Sequence, residues 1–198
     1  MKKKLILICL FLVIPIKAFS LIEVDITRGN LNPLPLAVSP LSIDENSKKS
    51  FEKILDKENI GSEISIIVEN NLRTSGLFNP LNKDAFLQAP DIANLKPRFE
   101  DWNLIKAQAL ITGKVTYVNE KLRVEFRLWD VLAGKEMMAL AFTTVPNNWR
   151  RVGHIISDKI YERLTGEKGY FDTRIIYVAE EGPKTQRKKN SNNGSRWS

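Results

Sequence analysis

The sequence contains a single cysteine, Cys9, and a single histidine, His154. Cys9 sits inside an apolar opening segment, so the remainder of the chain has no disulfide, no thiol nucleophile and no cysteine metal ligand. A metal site would fall to carboxylates. The acidic pairs Asp44-Glu45 and Glu180-Glu181 are adjacent residues without a calcium-loop spacing, which fits solvated surface better than ligation. No G-x-S-x-G elbow accompanies His154. At the roughly 100° per residue of a helix, His154 lies about 200° round from Val152, opposite that helix's apolar face. A solvated side chain or a hydrogen-bond partner for a nearby loop is the expectation for it. No glycine-rich phosphate loop occurs, because Gly166 and Gly169 follow a helical pattern instead of opening one. No metal, cofactor or small-molecule substrate is expected. No apolar run approaches the roughly 20 residues that span a bilayer.

What the sequence does have begins at its first residue. Lys2, Lys3 and Lys4 form a positive region, residues 5–16 are almost unbroken apolar, and Ala18-Phe19-Ser20 offers small residues at the positions a signal peptidase reads. Residues 1–20 are therefore expected to be a cleaved export signal and the working protein to begin at Leu21, in the periplasm. Removing 20 residues leaves 178 of the 198, enough for one domain with its own core.

The net charge of +7 is carried at the ends. Lys2, Lys3, Lys4 and Lys17 in the leader, and Lys184, Arg187, Lys188, Lys189 and Arg196 in the tail, come without a single acid. Those nine cations exceed the net charge by two, so the stretch between carries −2. A nucleic-acid binder concentrates its basic excess on the folded surface, so no nucleic-acid partner is expected. The run Arg187-Lys188-Lys189 reads as a solvated tail.

Ile22, Val24 and Ile26 alternate with Glu23, Asp25 and Thr27, a strand pattern that Arg28-Gly29-Asn30 breaks. A short strand is expected within residues 31–40. Ser47 is placed to cap a helix reaching Lys57 with Phe51, Ile54 and Leu55 inward. A second helix, residues 60–75, turns Ile64, Ile67, Val68 and Leu72 inward and stops at Gly76. Residues 83–97 read as loop. A short helix over residues 99–106 points Phe99, Trp102 and either Leu104 or Ile105 inward. Three meander strands follow over residues 108–118, 122–128 and 136–144, with turns at Asn119-Glu120 and Ala133-Gly134. The clearest helix covers residues 149–164 with Val152, Ile155, Ile156, Ile160 and Leu164 on one face. A last strand is expected at residues 174–179, and residues 190–198 lack apolar periodicity and read as disordered. The order describes an α/β two-layer sandwich, helices on one face of a small mixed β-sheet.

Three stretches carry a family resemblance. The first is Asn71-Leu72-Arg73-Thr74-Ser75-Gly76-Leu77-Phe78-Asn79-Pro80. The second runs from Phe99-Glu100-Asp101-Trp102 through Ala109 to Ile111-Thr112-Gly113-Lys114-Val115. The third is Trp149-Arg150-Arg151-Val152-Gly153-His154, then Asp158, Ile160-Tyr161-Glu162 and Leu164-Thr165-Gly166-Glu167-Lys168-Gly169-Tyr170-Phe171-Asp172-Thr173-Arg174-Ile175. On these residues the chain resembles the TolB family, periplasmic components of the Tol-Pal envelope system. The resemblance covers residues 22–189.

The resemblance implies an amino-terminal α/β domain over residues 21–169. It also implies a linker with a first propeller-type strand over residues 170–189, and residues 190–198 resemble nothing in the family. The family's β-propeller, its main platform for the lipoprotein Pal, is missing, so the chain reads as a truncated copy. The implied function is that of a non-enzymatic adaptor that maintains outer-membrane integrity, supports constriction at cell division and is associated with bacteriocin import. In the family the extended mature amino terminus is taken up by the carboxy-terminal domain of TolA. By resemblance that site is Ile22, Glu23, Val24, Asp25, Ile26 and Thr27, whose alternation suits strand addition. His154 and Trp149 are implied to be structural, near the domain junction. Two other readings remain: a small periplasmic hydrolase using carboxylates such as Glu100 or Asp101, and a non-functional gene fragment.

Overall fold

A computed structural model of the chain describes residues 32–173 and the backbone of two short strands beyond them. The expected export signal, the alternating segment from Ile22 to Thr27 and residues 174–178 lie outside the described residues.

Strand β1 (Leu34–Val38) is an inner strand of the sheet. It pairs in parallel with β3 (Phe78–Pro80) on one side and with β4 (Ala109–Val118) on the other. Pro35 is tolerated because its nitrogen faces the β4 side below the point where β4 begins; its carbonyl takes the Gln108 N–H at 2.9 Å. After Pro40 the chain returns to β4 as β2 (Ser42–Ile43). The expected meander is present as β4, β5 (Lys121–Asp130) and β6 (Lys135–Thr144), so the six-stranded mixed sheet reads β3-β1-β4-β5-β6 with β2 beside β4.

Three helices cover one face: α1 (Glu45–Leu55), α2 (Ile60–Thr74) and α5 (Trp149–Thr165). Beneath them Leu36, Val38, Phe51, Ile64, Leu72, Ile111, Val124, Phe126, Ile156 and Ile160 form one apolar core. The two-layer α/β architecture read from the sequence is the one observed. The opposite face of the sheet carries a second, smaller cluster in which Ala37, Leu110 and Trp129 meet Ala93 and Trp102. Those partners belong to two one-and-a-half-turn helices, α3 (Pro90–Leu95) and α4 (Phe99–Leu104).

Several local expectations are corrected. The cap of α1 is Asp44, not Ser47. The Asp44 carboxylate accepts both the Ser47 N–H (2.9 Å) and the Ser47 hydroxyl (2.7 Å), while Ser47 Oγ accepts the Tyr117 N–H at 2.8 Å. Ser47 is thus buried as a tie between α1 and β4. Phe51 is buried in the core and Leu55 packs against it from the same helix, whereas Ile54 points outward at 45 % exposure. Residues 83–97 are not loop throughout: a 3₁₀ turn (Lys83–Ala85) and α3 occupy them, α3 opening with Pro90 at its first turn, where a missing N–H costs nothing. Of the alternatives on α4, Leu104 is 74 % exposed and Ile105 packs inward.

The clearest helix runs to Thr165 and stops at Gly166, whose φ of 75° is the left-handed cap conformation. Beyond it, β7 (Ala179–Glu181) and β8 (Lys188–Asn190) form an antiparallel pair. The backbone of Lys188 and Lys189 thus belongs to a strand, which also takes in Asn190, and its register places Lys188 opposite Glu181.

Candidate functional site

The segment Ile22 to Thr27 lies outside the described residues, but the structure shows where it leads. The chain passes through residues 28–33 and enters β1 at Leu34, the strand held between β3 and β4.

The other candidates gather at the seam between α2 and α5. The helices approach closely because Gly153 faces Ile67; a Cβ at Gly153 would lie 2.8 Å from Ile67 Cγ2. One turn along, the Asn71 amide donates to His154 Nδ1 (2.9 Å) and to Ser157 Oγ (3.0 Å), and the Ser157 hydroxyl donates to the Gly153 carbonyl (2.8 Å). His154 is therefore not a solvated side chain opposite the apolar face. The α2 helix packs over it and makes it half-buried. Burial holds its pKa below the ordinary histidine value, against the opposing pull of Asp172 and Asp158. The neutral ring accepts at Nδ1, in keeping with the Asn71 amide as donor. Ser157 spends its proton on a backbone carbonyl, so the pair is not arranged as nucleophile and base, which needs a direct hydrogen bond between them.

The same helix holds the chain that leaves it. Asp158 accepts the backbone N–H groups of Phe171 (2.6 Å) and Asp172 (3.1 Å). Arg151 forms a forked pair with the Asp172 carboxylate, its Nε at 3.1 Å and its Nη2 at 3.1 Å. Gly169 passes so near Asp158 that a Cβ would sit 2.4 Å from the Asp158 Cα, which excludes any side chain there. Tyr161, Tyr170 and Phe171 close over the junction edge to face, with Tyr161 centred 5.5 Å from Tyr170 and 5.8 Å from Phe171. Trp149, 3 % exposed, begins the helix under the Arg150 guanidinium at 4.4 Å. These are fastening contacts. Composition and periodicity carry no sign of the Asn71 bridge or the Asp158 latch. The signal was that Asn71, Gly153, His154, Asp158 and Gly169 all fall in the stretches carrying the family resemblance.

The carboxylates offered for hydrolysis do not converge. Glu100 is exposed, and its neighbour Asp101, about 100° further round α4, pairs with Arg98 at 2.6 Å. Asp44 serves as a helix cap beside exposed Glu45. Among the described residues no group of three or more histidines, cysteines or acids is placed to hold a metal ion, and no helix is long and apolar enough to cross a membrane. A charged groove lies between α2 and the end of β3. There Glu69 meets Lys83 at 3.0 Å and also pairs with Arg73. Burial alone would raise the Glu69 pKa, but hydrogen bonds from the two cations outweigh it and hold the group below its ordinary value.

Comparison with known proteins agrees with this architecture. Residues 22–137 match the model of the TolB amino-terminal domain. The Tol-Pal system protein TolB of Pelagibacter ubique (strain HTCC1062) is 84 % identical over 183 residues, covering 92 % of this chain and 41 % of the relative. The chain thus spans about two-fifths of that relative's length. The crystal structure of TolB from Acinetobacter baumannii superposes with a TM-score of 0.59 at 24 % identity, over 74 % of this chain and 32 % of that one, a likeness of fold. With a family model matching more than half of its residues, the chain belongs to the TolB amino-terminal domain family.

Proposed function

We propose that the chain acts in the periplasm as a non-enzymatic adaptor of the Tol-Pal system, contributing to outer-membrane integrity and its constriction at division, and associated with bacteriocin import. The observation that carries this reading is the 84 % identity to a Tol-Pal protein across 92 % of the chain. The chemistry of the described residues supports it: the polar groups at the α2–α5 seam bind one another and the backbone, as fastenings do. On this reading residues 1–20 are removed on export, residues 21–169 form the α/β domain, residues 170–189 are a linker with a first propeller-type strand, and residues 190–198 resemble nothing in the family. Pal, which the family engages through its propeller, is assigned no residue here.

The working contact is the mature amino terminus. Ile22, Glu23, Val24, Asp25, Ile26 and Thr27 are taken up as an added strand by the carboxy-terminal domain of TolA, backbone groups pairing with the partner's sheet edge and alternate side chains filling its face. The test is calorimetric titration of the cognate TolA domain with a peptide of residues 21–32 and with the chain cut after Ser20. Saturable binding by both, lost when Val24 is replaced by proline, is expected. No binding by either form overturns the assignment of these residues.

A further inference from the structure

Four polar groups at the α2–α5 seam form one chain of hydrogen bonds, and each fixes the direction of the next. The Ser157 hydroxyl donates to the Gly153 carbonyl, so Ser157 Oγ is left to accept from Asn71. Asn71 must therefore turn its amino group, not its carbonyl, to this point. The same nitrogen stands 2.9 Å from His154 Nδ1. An amide nitrogen donates and does not accept. Nδ1 is thus the acceptor, and the ring is neutral with its proton on Nε2.

A proton on Nδ1 would set two donors face to face. The same groups have a second arrangement that removes the conflict. Turning the Asn71 amide over brings Oδ1 to the place of Nδ2. That oxygen has two lone pairs and can accept from both the His154 Nδ1–H and the Ser157 hydroxyl. The hydroxyl proton swings away from the Gly153 carbonyl, which keeps its helical partner, the N–H group four residues on. No heavy atom outside the amide has to move. The seam is complete with either charge on the ring.

What the charge changes lies along the flank of α5. Arg151 stands three residues before His154 and Asp158 four residues after it, so the three share one side of the helix. Asp158 accepts the N–H groups of Phe171 and Asp172, and Arg151 grips the Asp172 carboxylate. These contacts fasten residues 169–172 as a strap where the chain leaves the helix. Asp172 and Asp158 both act on the ring and favour its charged form. The other charged groups of the adjoining elements are engaged elsewhere. On α2, Glu63 pairs with Lys57, and Glu69 with Arg73 and Lys83. On α5, Lys159 pairs with Glu162 and Arg150 lies over Trp149. Tyr161 and Tyr170 pack on each other, and Glu167 and Lys168 are exposed. A positive ring therefore meets two negative groups, and both of them hold the strap.

We infer that His154 is a proton-operated tightener of this strap. As a neutral ring it only completes the seam. When it takes up a proton, the Asn71 amide turns over and the imidazolium draws on Asp158 and Asp172, so the chain leaving α5 is held more firmly. The burial that opposes the proton comes from α2. It is lost when the whole domain unfolds but not when the strap alone opens, so acid weakens the fold as a whole and tightens this one part. By linkage, closing the strap raises the ring's affinity for a proton by the same factor.

His154 is the only histidine of the sequence, so its ring resonances identify themselves. The test is a pH titration of the full chain by nuclear magnetic resonance. Amide hydrogen exchange is measured one pH unit to each side of the ring's own midpoint and corrected for its intrinsic pH dependence. The Phe171 and Asp172 amides are expected to shift with the ring's midpoint and to be about threefold better protected on the acid side, the size of a partly exposed ion pair. His154→Gln keeps a polar side chain without a charge and should abolish that response. Asp172→Asn should lower the ring's midpoint. Asn71→Asp offers only acceptor oxygens to Nδ1 and should raise it. Circular dichroism checks that each variant folds. A ring that titrates while both amides stay unmoved overturns the proposal, as does protection that falls on the acid side. A response that persists in His154→Gln also overturns it, since the carboxylates would then be titrating on their own.

Discussion

Gly153 offers a test in which the sign of an effect depends on one neighbour. In an α-helix, alanine is favoured over glycine by about 1 kcal/mol, so Gly153→Ala should stabilise α5 if nothing stood opposite. Here the new methyl group would lie 2.8 Å from Ile67 Cγ2 and 3.0 Å from Ile67 Cβ, against an ordinary contact of about 3.5–4.0 Å. The atoms it meets are close to the α2 backbone, so α2 as a whole must move. Overpacking of this kind costs roughly 1–3 kcal/mol, and the clash should win by about 1 kcal/mol. With Ile67→Ala in place the obstacle is gone, and Gly153→Ala should then stabilise by up to about 1 kcal/mol. The double-mutant cycle would give a coupling of about 2 kcal/mol between residues on facing helices. Urea unfolding followed by tryptophan fluorescence and far-ultraviolet dichroism measures all four proteins. If Gly153→Ala has the same effect in both backgrounds, the close approach of α2 and α5 is not what glycine serves, and the reasoning fails.

Three other outcomes follow from the contacts described. Gln88 is buried, accepts the Arg98 N–H and Trp102 Nε1–H, and donates to the Lys96 carbonyl. Gln88→Leu should cost about 2–4 kcal/mol in chemical unfolding by leaving these groups unpaired; a loss under about 0.5 kcal/mol would show that they find other partners. Asp44→Ala should cost about 1 kcal/mol by removing the α1 cap. The hydrogen bonds from Ser47 hold the Asp44 pKa below the ordinary carboxylate value, so its contribution is present above the unfolded pKa and lost as the pH falls through the folded one. Asp44→Asn should therefore flatten the acid side of the stability profile, and an unchanged slope would refute the cap. For His154, burial favours the neutral ring. The unfolded chain takes up the proton first, so this contribution is full above about pH 6.5 and shrinks as the pH falls below it. His154→Gln should lose less stability between pH 8 and pH 5 than the unmodified chain.

The long elements were legible because their periodicity is strong. The meander alternates apolar and polar residues over whole strands, and α5 keeps one apolar face from Val152 to Leu164. The architecture followed from their order. What failed was decided by tertiary partners. Ser47 reads as a cap because serine caps well, but Asp44 is one turn earlier, is charged and leaves Ser47 free to reach β4. Residues 83–97 hide two short helical turns because neither is long enough to show a period, and their packing rests on Ala93, Asn94 and Gln88, types that carry little hydrophobic signal. His154 was read from its own helix alone. A second helix, brought near by Gly153, turned an outward position into a seam. The fastening of residues 171 and 172 by Asp158 was illegible for the same reason: it joins positions 13 and 14 residues apart through backbone groups.

The place of β1 has a mechanical consequence. The chain ahead of Leu34 feeds into a strand held on both sides by parallel neighbours. A pull on the amino terminus along that strand loads the ladders to β3 and β4 in shear, so their hydrogen bonds share the strain at the same moment. A hairpin peeled from its open end would yield one bond at a time. A tether attached ahead of β1 would therefore carry tension into the domain before the sheet gave way, and the connection would act as a rope made fast between two strands.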